Sequence, residues 1–98
     1  MPEILTVIAY VHAKAGQEAR VKQVLDGLIA PTRAEAGCIN YDLFQSDSDP
    51  AQFVFYENWQ SDVDLHRHAQ THHIKESAGL LTGLLAEPVK ITKWRTVR

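Results

Sequence analysis

The chain has 98 residues, 45% hydrophobic and 22% charged, which predicts a single globular domain over residues 1–98. Ten Lys and Arg against twelve Asp and Glu give a net charge of −2, which argues against nucleic acid or an anionic membrane as partner. The single cysteine excludes an internal disulfide and a multi-cysteine zinc site. No apolar run approaches the ~18 residues that span a bilayer, and no basic stretch precedes the first apolar run. We therefore expect a cytoplasmic protein.

The first third of the chain predicts a strand followed by a helix. Ile4–His12 is rich in β-branched and aromatic residues, which is typical of a buried strand. Pro31 should end the regular part of the helix that follows, and Gly37 is its expected C-cap. The apolar face of this helix has helical spacing and consists of Val21, Val24, Leu25, Leu28 and Ile29.

The middle of the chain predicts an antiparallel hairpin. Cys38–Gln45 and Gln52–Gln60 read as strands, and the turn sequence SDSDP (Ser46–Pro50) joins them. Alternation along the second of these strands should place four large side chains on one face: Phe53, Phe55, Glu57 and Trp59.

The last third predicts two helices and a strand. Ser61 is a good N-cap for a short helix that runs to about His68, and Thr71 is a second N-cap. Val89–Val97 alternates as a final strand. The inward face of the second helix should hold Ile74, Ala78, Leu81 and Leu85.

The predicted order is β-α-β-β-α-β, which is the ferredoxin-like arrangement of an α+β protein with an antiparallel sheet. The helices should cover only one face of this sheet. Strand residues such as Val7, Val11, Phe44 and Val54 make the strand faces too apolar to be left in water. A homodimer in which two sheets pack together is the simplest way to bury the uncovered face.

Four stretches, in this order, resemble the antibiotic biosynthesis monooxygenase family: LTVIAYVHAKAGQE, PTRAEAGCINYDL, FVFYENW and DLHRHAQTHH. The last contains the pattern L-x-x-H-x-x-S/T-x-H, with His68 and His73 as its histidines. The resemblance is closest to short bacterial quinol monooxygenases. It implies a dimeric α/β barrel that oxidises a quinol, a polycyclic phenol or an anthrone with O₂ and needs no cofactor.

The resemblance also implies roles for individual residues. His68 and His73 are the expected proton acceptors, because the pKa of an unperturbed histidine lies near ~6.5. Glu57 is the third expected catalytic residue, and it either orients a histidine or has a structural role. Trp59, Tyr41 and Phe55 are expected to form the wall that holds the aromatic substrate, with core packing as the alternative.

Two departures from the family narrow this expectation. Polyketide-tailoring members have an asparagine four residues before the tryptophan of the third strand, and Phe55 stands there in this chain. Haem-degrading relatives carry an axial histidine further along the last helix, where this chain has Ser77, Ala78 and Gly79. Haem cleavage is therefore not expected.

The sequence also allows a metal site at the histidines and two functions other than oxygenation. His68 and His72 have the i, i+4 spacing of two metal ligands, with Glu57 as a third, but a helix that starts at Thr71 would interrupt that face. We therefore expect no metal, and we expect His66 and His72 to be solvated. The competing functions are an isomerase that uses a histidine acid–base pair, and a non-catalytic dimer that binds aromatic ligands.

Overall fold

Strands and helices follow one another in the order that the sequence predicts, except that the first helical region is divided into two helices. The structure is a computed structural model, which describes residues 3–98. Its elements are β1 (Leu5–His12), α1 (Glu18–Asp26), α2 (Ile29–Arg33), β2 (Cys38–Gln45), β3 (Gln52–Trp59), α3 (Asp62–Ala69), α4 (His72–Leu80) and β4 (Lys90–Trp94).

The sheet has the order β2-β3-β1-β4, and all neighbouring strands are antiparallel. This confirms the α+β, ferredoxin-like fold. The sheet of one chain is open, because β2 and β4 are its two edges. No helix in the described part of the chain is long and apolar enough to cross a bilayer.

One face of the sheet packs under the helices and forms the core. Val7 and Val11 lie on this face with 1% and 2% of their surface exposed, so the expectation that they help to form the uncovered face is wrong. Their strand neighbours Ile8 and Tyr10 point the other way, as strand alternation requires. The remaining large core side chains of the sheet are Leu5, Tyr41, Phe53, Phe55 and Trp59.

The outer face of the sheet has no helix over it and carries both apolar and polar side chains. A row of three side chains crosses it, since Tyr10 pairs with Val54 and Val54 pairs with Phe44. Tyr10 is 39% exposed and Phe44 is 53% exposed. Phe44 and Val54 are therefore on the uncovered face, as expected.

The helix boundaries differ from the predicted ones. Pro31 lies inside α2, which ends at Arg33, so Gly37 is not its C-cap. Ser61 caps α3 as predicted, because its hydroxyl accepts from Asp64 N at 3.2 Å. The last helix ends at Leu80, and Leu85 lies beyond it, in a bridge with Ala13.

Gly37 allows the turn after α2 to approach α3. Its φ is +85°, a conformation that residues with a Cβ rarely adopt, and a Cβ here would collide with the side chain of Asp64. Asp64 cannot easily move away, because Ser61 Oγ and Arg67 donate hydrogen bonds to its carboxylate. The turn that contains Gly37 therefore packs directly on α3.

Gly37→Ala should lower the free energy of unfolding by roughly 3 kcal/mol, because it combines backbone strain with a clash. Gly16→Ala is the matched control, since Gly16 has φ +87° and a Cβ at this position would meet no atom within 4 Å. The control should lose only about 1 kcal/mol from strain. Urea unfolding of the two variants measures the difference, and equal losses would contradict the proposed close packing on α3.

Candidate active site

A cavity of about 470 Å³ lies between the helix-covered face of the sheet and helices α1, α3 and α4. A volume of this order suits one small ring system. Four polar side chains on its wall are buried: Tyr41, Glu57, His68 and Ser77. Asp62, His66 and Lys93 also line the cavity but are exposed, so they mark its opening to solvent. Its apolar lining includes Val7, Ala9, Val11, Leu25, Leu28, Leu65, Ile74 and Leu81.

His68 is held by a carboxylate that sequence reasoning missed. Its Nδ1 lies 2.7 Å from Glu35 Oε2, and its side chain is 9% exposed. Since a carboxylate accepts hydrogen bonds, Nδ1 carries the proton, and Nε2 retains its lone pair. Nε2 has no hydrogen-bond partner among residues 3–98, and the ring of His68 lines the cavity. Burial lowers the pKa of His68 below 6.5, although the Glu35 hydrogen bond opposes this, so the ring is neutral at pH 7.

Glu35 also contacts the second predicted histidine. His73 Nε2 lies 2.7 Å from the same oxygen, Glu35 Oε2, and the His73 side chain is 22% exposed. His73 does not line the cavity; its ring centroid lies 6.1 Å from that of His68, and Glu35 and Thr71 each connect the two residues by hydrogen bonds. Glu35 belongs to the PTRAEAGCINYDL stretch, but no spacing rule connects a residue of the α2–β2 turn to histidines 33 and 38 positions later.

Glu57 lies on the cavity wall, and its side chain is hydrogen-bonded to Trp59 rather than to a histidine. It is 3% exposed, and its Oε1 accepts a hydrogen bond from Trp59 Nε1 at 2.9 Å. Burial raises the pKa of Glu57 to about 7; the Trp59 hydrogen bond acts against this rise, and the charge of Glu35 adds to it. Near neutral pH this carboxyl group can therefore either donate or accept a proton.

The three aromatic residues predicted for the wall have different positions. Tyr41 lines the cavity, and burial raises the pKa of its hydroxyl well above the usual range, so it remains protonated. Phe55 lies behind it, with its ring stacked on Tyr41 at a centroid distance of 4.4 Å. Trp59 is fully buried and packs on His68 at 4.7 Å. Phe55 and Trp59 thus support wall residues but do not themselves line the cavity.

The group of side chains that could hold a metal shares only His68 with the set that helical spacing indicates. The His72 side chain is 90% exposed, and its nearest charged partner is Glu76 at 3.5 Å. Among residues 3–98, the only cluster of suitable groups is Glu35, His68 and His73, whose ligand atoms all lie within 4.8 Å of one another.

The sequence profile described as "Antibiotic biosynthesis monooxygenase" matches residues 4–79, which include Glu35, Tyr41, Glu57, His68 and His73. The chain belongs to the antibiotic biosynthesis monooxygenase family. The resemblance seen in the four sequence stretches is thereby confirmed.

Relatives in this family support the same assignment. A Mycobacterium tuberculosis protein named "Putative monooxygenase Rv0793" is 33% identical over 92 residues, which are 94% of this chain and 90% of that protein. The solved structure of Rv0793 superposes with a TM-score of 0.90 and covers 97% of this chain and 96% of its own. The crystal structure of PA3566 from Pseudomonas aeruginosa, at 37% identity, gives a TM-score of 0.94 with 100% and 98% coverage.

The raised pKa of Glu57 predicts a pH-dependent cost to folding. The folded pKa of about 7 lies above the ordinary 4.5, so between these values the unfolded chain ionises while the folded chain does not. The contribution of Glu57 to stability should therefore fall as the pH rises from about 4.5 to about 7 and then level off. Glu57→Gln should abolish this loss, and at pH 8 it should be more stable than the wild type by roughly 2–3 kcal/mol.

Urea unfolding from pH 4 to pH 8 measures this difference. Glu76→Gln is the control, because it removes a carboxylate from a site that is 62% exposed. Parallel profiles for the wild type and Glu57→Gln would show that Glu57 ionises normally in the folded protein.

Proposed function

We propose that this protein is a monooxygenase that oxidises a quinol, a polycyclic phenol or an anthrone with O₂, and that its own side chains transfer the protons without a bound cofactor. The observation that carries the proposal is the position of His68. Its Nδ1 is bonded to Glu35, and its ring lines an apolar cavity that also contains the carboxyl group of Glu57. Family membership supports the reaction class.

The first step is proton removal. The free Nε2 of His68 accepts the proton of an acidic O–H or C–H group of the substrate. The imidazolium that forms is stabilised by the Glu35 carboxylate, which lies 2.7 Å from Nδ1. The product of this step is an electron-rich aromatic anion in a largely apolar cavity.

The second step is the reaction of this anion with O₂. The anion gives one electron to O₂, and the resulting radicals combine through a new C–O bond to give a peroxide. A proton from Glu57 converts the peroxide to a hydroperoxide. The Glu57 carboxylate then takes the remaining C–H proton as the O–O bond breaks, and the imidazolium of His68 protonates the leaving hydroxide. These transfers yield a carbonyl group and water and restore both side chains. The sum for an anthrone-type carbon is R₂CH₂ + O₂ → R₂C=O + H₂O, so no external reductant is needed.

The other predicted residues support this chemistry from less direct positions. Tyr41 remains protonated and can donate a hydrogen bond to the oxygen of the substrate anion. Trp59 positions Glu57 through its indole N–H, and Phe55 supports the ring of Tyr41. His73 is a positioning residue, since it does not line the cavity and contacts the Glu35 oxygen that holds His68.

Oxygen consumption by the chelator-treated protein, measured with a panel of quinols and anthrones, tests the proposal. His68→Asn should lower kcat/KM by about 10²- to 10⁴-fold, because it removes the general base. His72→Asn is the control, since that histidine is 90% exposed and outside the cavity. Uptake no faster than autoxidation with every substrate would overturn the proposal.

The presence of both His68 and Glu57 on one cavity wall also favours a second candidate function. Two groups able to exchange protons near neutral pH are sufficient for an isomerase that moves a proton within a small carbonyl compound. Turnover that continues unchanged without O₂ would identify this function. Tight binding of aromatic compounds without formation of any product would instead support the third function, a non-catalytic dimer that binds aromatic ligands.

We also propose that two chains pair through the outer faces of their sheets. The row of Tyr10, Val54 and Phe44 leaves apolar surface exposed on a single chain, and a second sheet packed on this row would bury that surface. Val54→Lys places a charge in the middle of this row and should convert the dimer to a folded monomer in analytical ultracentrifugation. Leu80→Lys, at an exposed helical position, should remain dimeric. A monomeric wild-type protein would contradict the proposal.

A further inference from the structure

Two histidine nitrogens converge on one carboxylate oxygen beside the cavity. His68 Nδ1 and His73 Nε2 each lie 2.7 Å from Glu35 Oε2, and Thr71 Oγ1 lies 3.3 Å from the same His73 nitrogen. The three residues come from three separate segments: the α2–β2 turn, the last turn of α3 and the first turn of α4. We call Glu35, His68 and His73 the EHH cluster.

We propose that the EHH cluster is a binding site for one divalent first-row transition-metal ion. Two imidazole nitrogens and one carboxylate oxygen are a donor set that Zn²⁺, Fe²⁺, Co²⁺ and Ni²⁺ all accept. The cluster is also accessible, because the side chains of Glu35 and His73 are 12% and 22% exposed. Water can therefore enter with the ion and complete its coordination.

The distances require only a small adjustment. Metal–ligand bonds of about 2.0–2.2 Å at tetrahedral or octahedral angles separate neighbouring ligand atoms by roughly 3–3.5 Å. The two nitrogen–oxygen contacts of 2.7 Å would lengthen by less than 1 Å, and all ligand atoms already lie within 4.8 Å of one another. Changes of side-chain torsion angles in Glu35 can supply this movement, since its residue lies in a turn outside the helices and strands.

Metal binding would change the tautomer of His68. In the present structure Nδ1–H donates to Glu35, and Nε2 keeps a lone pair. A metal ion needs the lone pair of Nδ1, so the ring proton must move to Nε2. The nitrogen left for the cavity then becomes a hydrogen-bond donor.

This tautomer change has a consequence that rests on the proposed function. If His68 is the base of the oxygenation, the metal-bound protein cannot remove the substrate proton through Nε2. The EHH cluster would then exist in two exclusive states, one hydrogen-bonded and catalytically competent, the other metal-bound and inactive. Metal binding itself is independent of that function and can be measured without any substrate.

Calorimetric titration of the chelator-treated protein with Zn²⁺ and Co²⁺ is the direct test. We expect one ion per chain, and Co²⁺ should give visible absorption bands of a nitrogen- and oxygen-ligated site. Glu35→Gln and His73→Asn should each weaken binding by roughly tenfold or more, because each removes one ligand. His72→Asn, which alters the exposed His72–Glu76 pair, should bind like the wild type.

Nitrogen-15 NMR of the histidine rings gives a second readout on the unmutated protein. Zn²⁺ should move the proton of His68 from Nδ1 to Nε2 and perturb His73, while His72 remains unchanged. Equal affinities in the wild type and the two ligand variants, or Zn²⁺ binding without a change at His68 and His73, would overturn the metal site. Oxygen uptake by the stripped protein is a separate measurement, so failure of the oxygenase proposal would be recognised independently.

Discussion

The hydrogen bond between Glu35 and His68 is the contact on which the proposed chemistry depends. It orients the imidazole, places the ring proton on Nδ1 and leaves Nε2 available to the cavity. Its two residues come from segments that become neighbours only because the turn after α2 packs on α3. Gly37 makes this approach possible, and Gln60 N fastens it by donating to Gly37 O at 2.9 Å. The turn at Gly37, which is distant from His68 in the sequence, thus sets the orientation of the His68 imidazole.

Burial has opposite consequences for the two proton-transfer groups of the cavity. It favours the uncharged form of each, so it lowers the pKa of His68 and raises that of Glu57 to about 7. The uncharged imidazole of His68 and the protonated carboxyl group of Glu57 can therefore coexist near neutral pH on the same cavity wall. This combination suits an uncharged aromatic substrate, because neither group must first lose its charge when water is displaced.

The strand β3 connects the site to the proposed dimer interface. Its side chains alternate, so Phe55, Glu57 and Trp59 face the helices, while Val54 lies on the outer face. One strand therefore supplies the acid of the cavity and the centre of the apolar row that we assign to the partner chain. A change on either face is expected to affect the position of the other through the shared backbone.

Local sequence patterns were sufficient to predict the strands, the order of elements and the side of β3 on which Glu57 lies. These predictions rest on strand alternation, helical spacing and helix capping, which involve residues only a few positions apart. The N-cap at Ser61 is an example. The same patterns assigned Val7 and Val11 to the wrong face, because apolar residues occupy both faces of β1 and periodicity alone cannot separate them.

The partners of the site residues could not be predicted in this way. Glu35 meets His68 and His73 across 33 and 38 positions, and no local rule encodes contacts between separate segments. The roles of Phe55 and Trp59 behind the wall, rather than on it, likewise depend on how the helices pack over the sheet. The sequence by itself identifies the residue types that can transfer protons. Their arrangement around the carboxylate of Glu35 depends on tertiary packing, because it joins segments that are distant in the sequence.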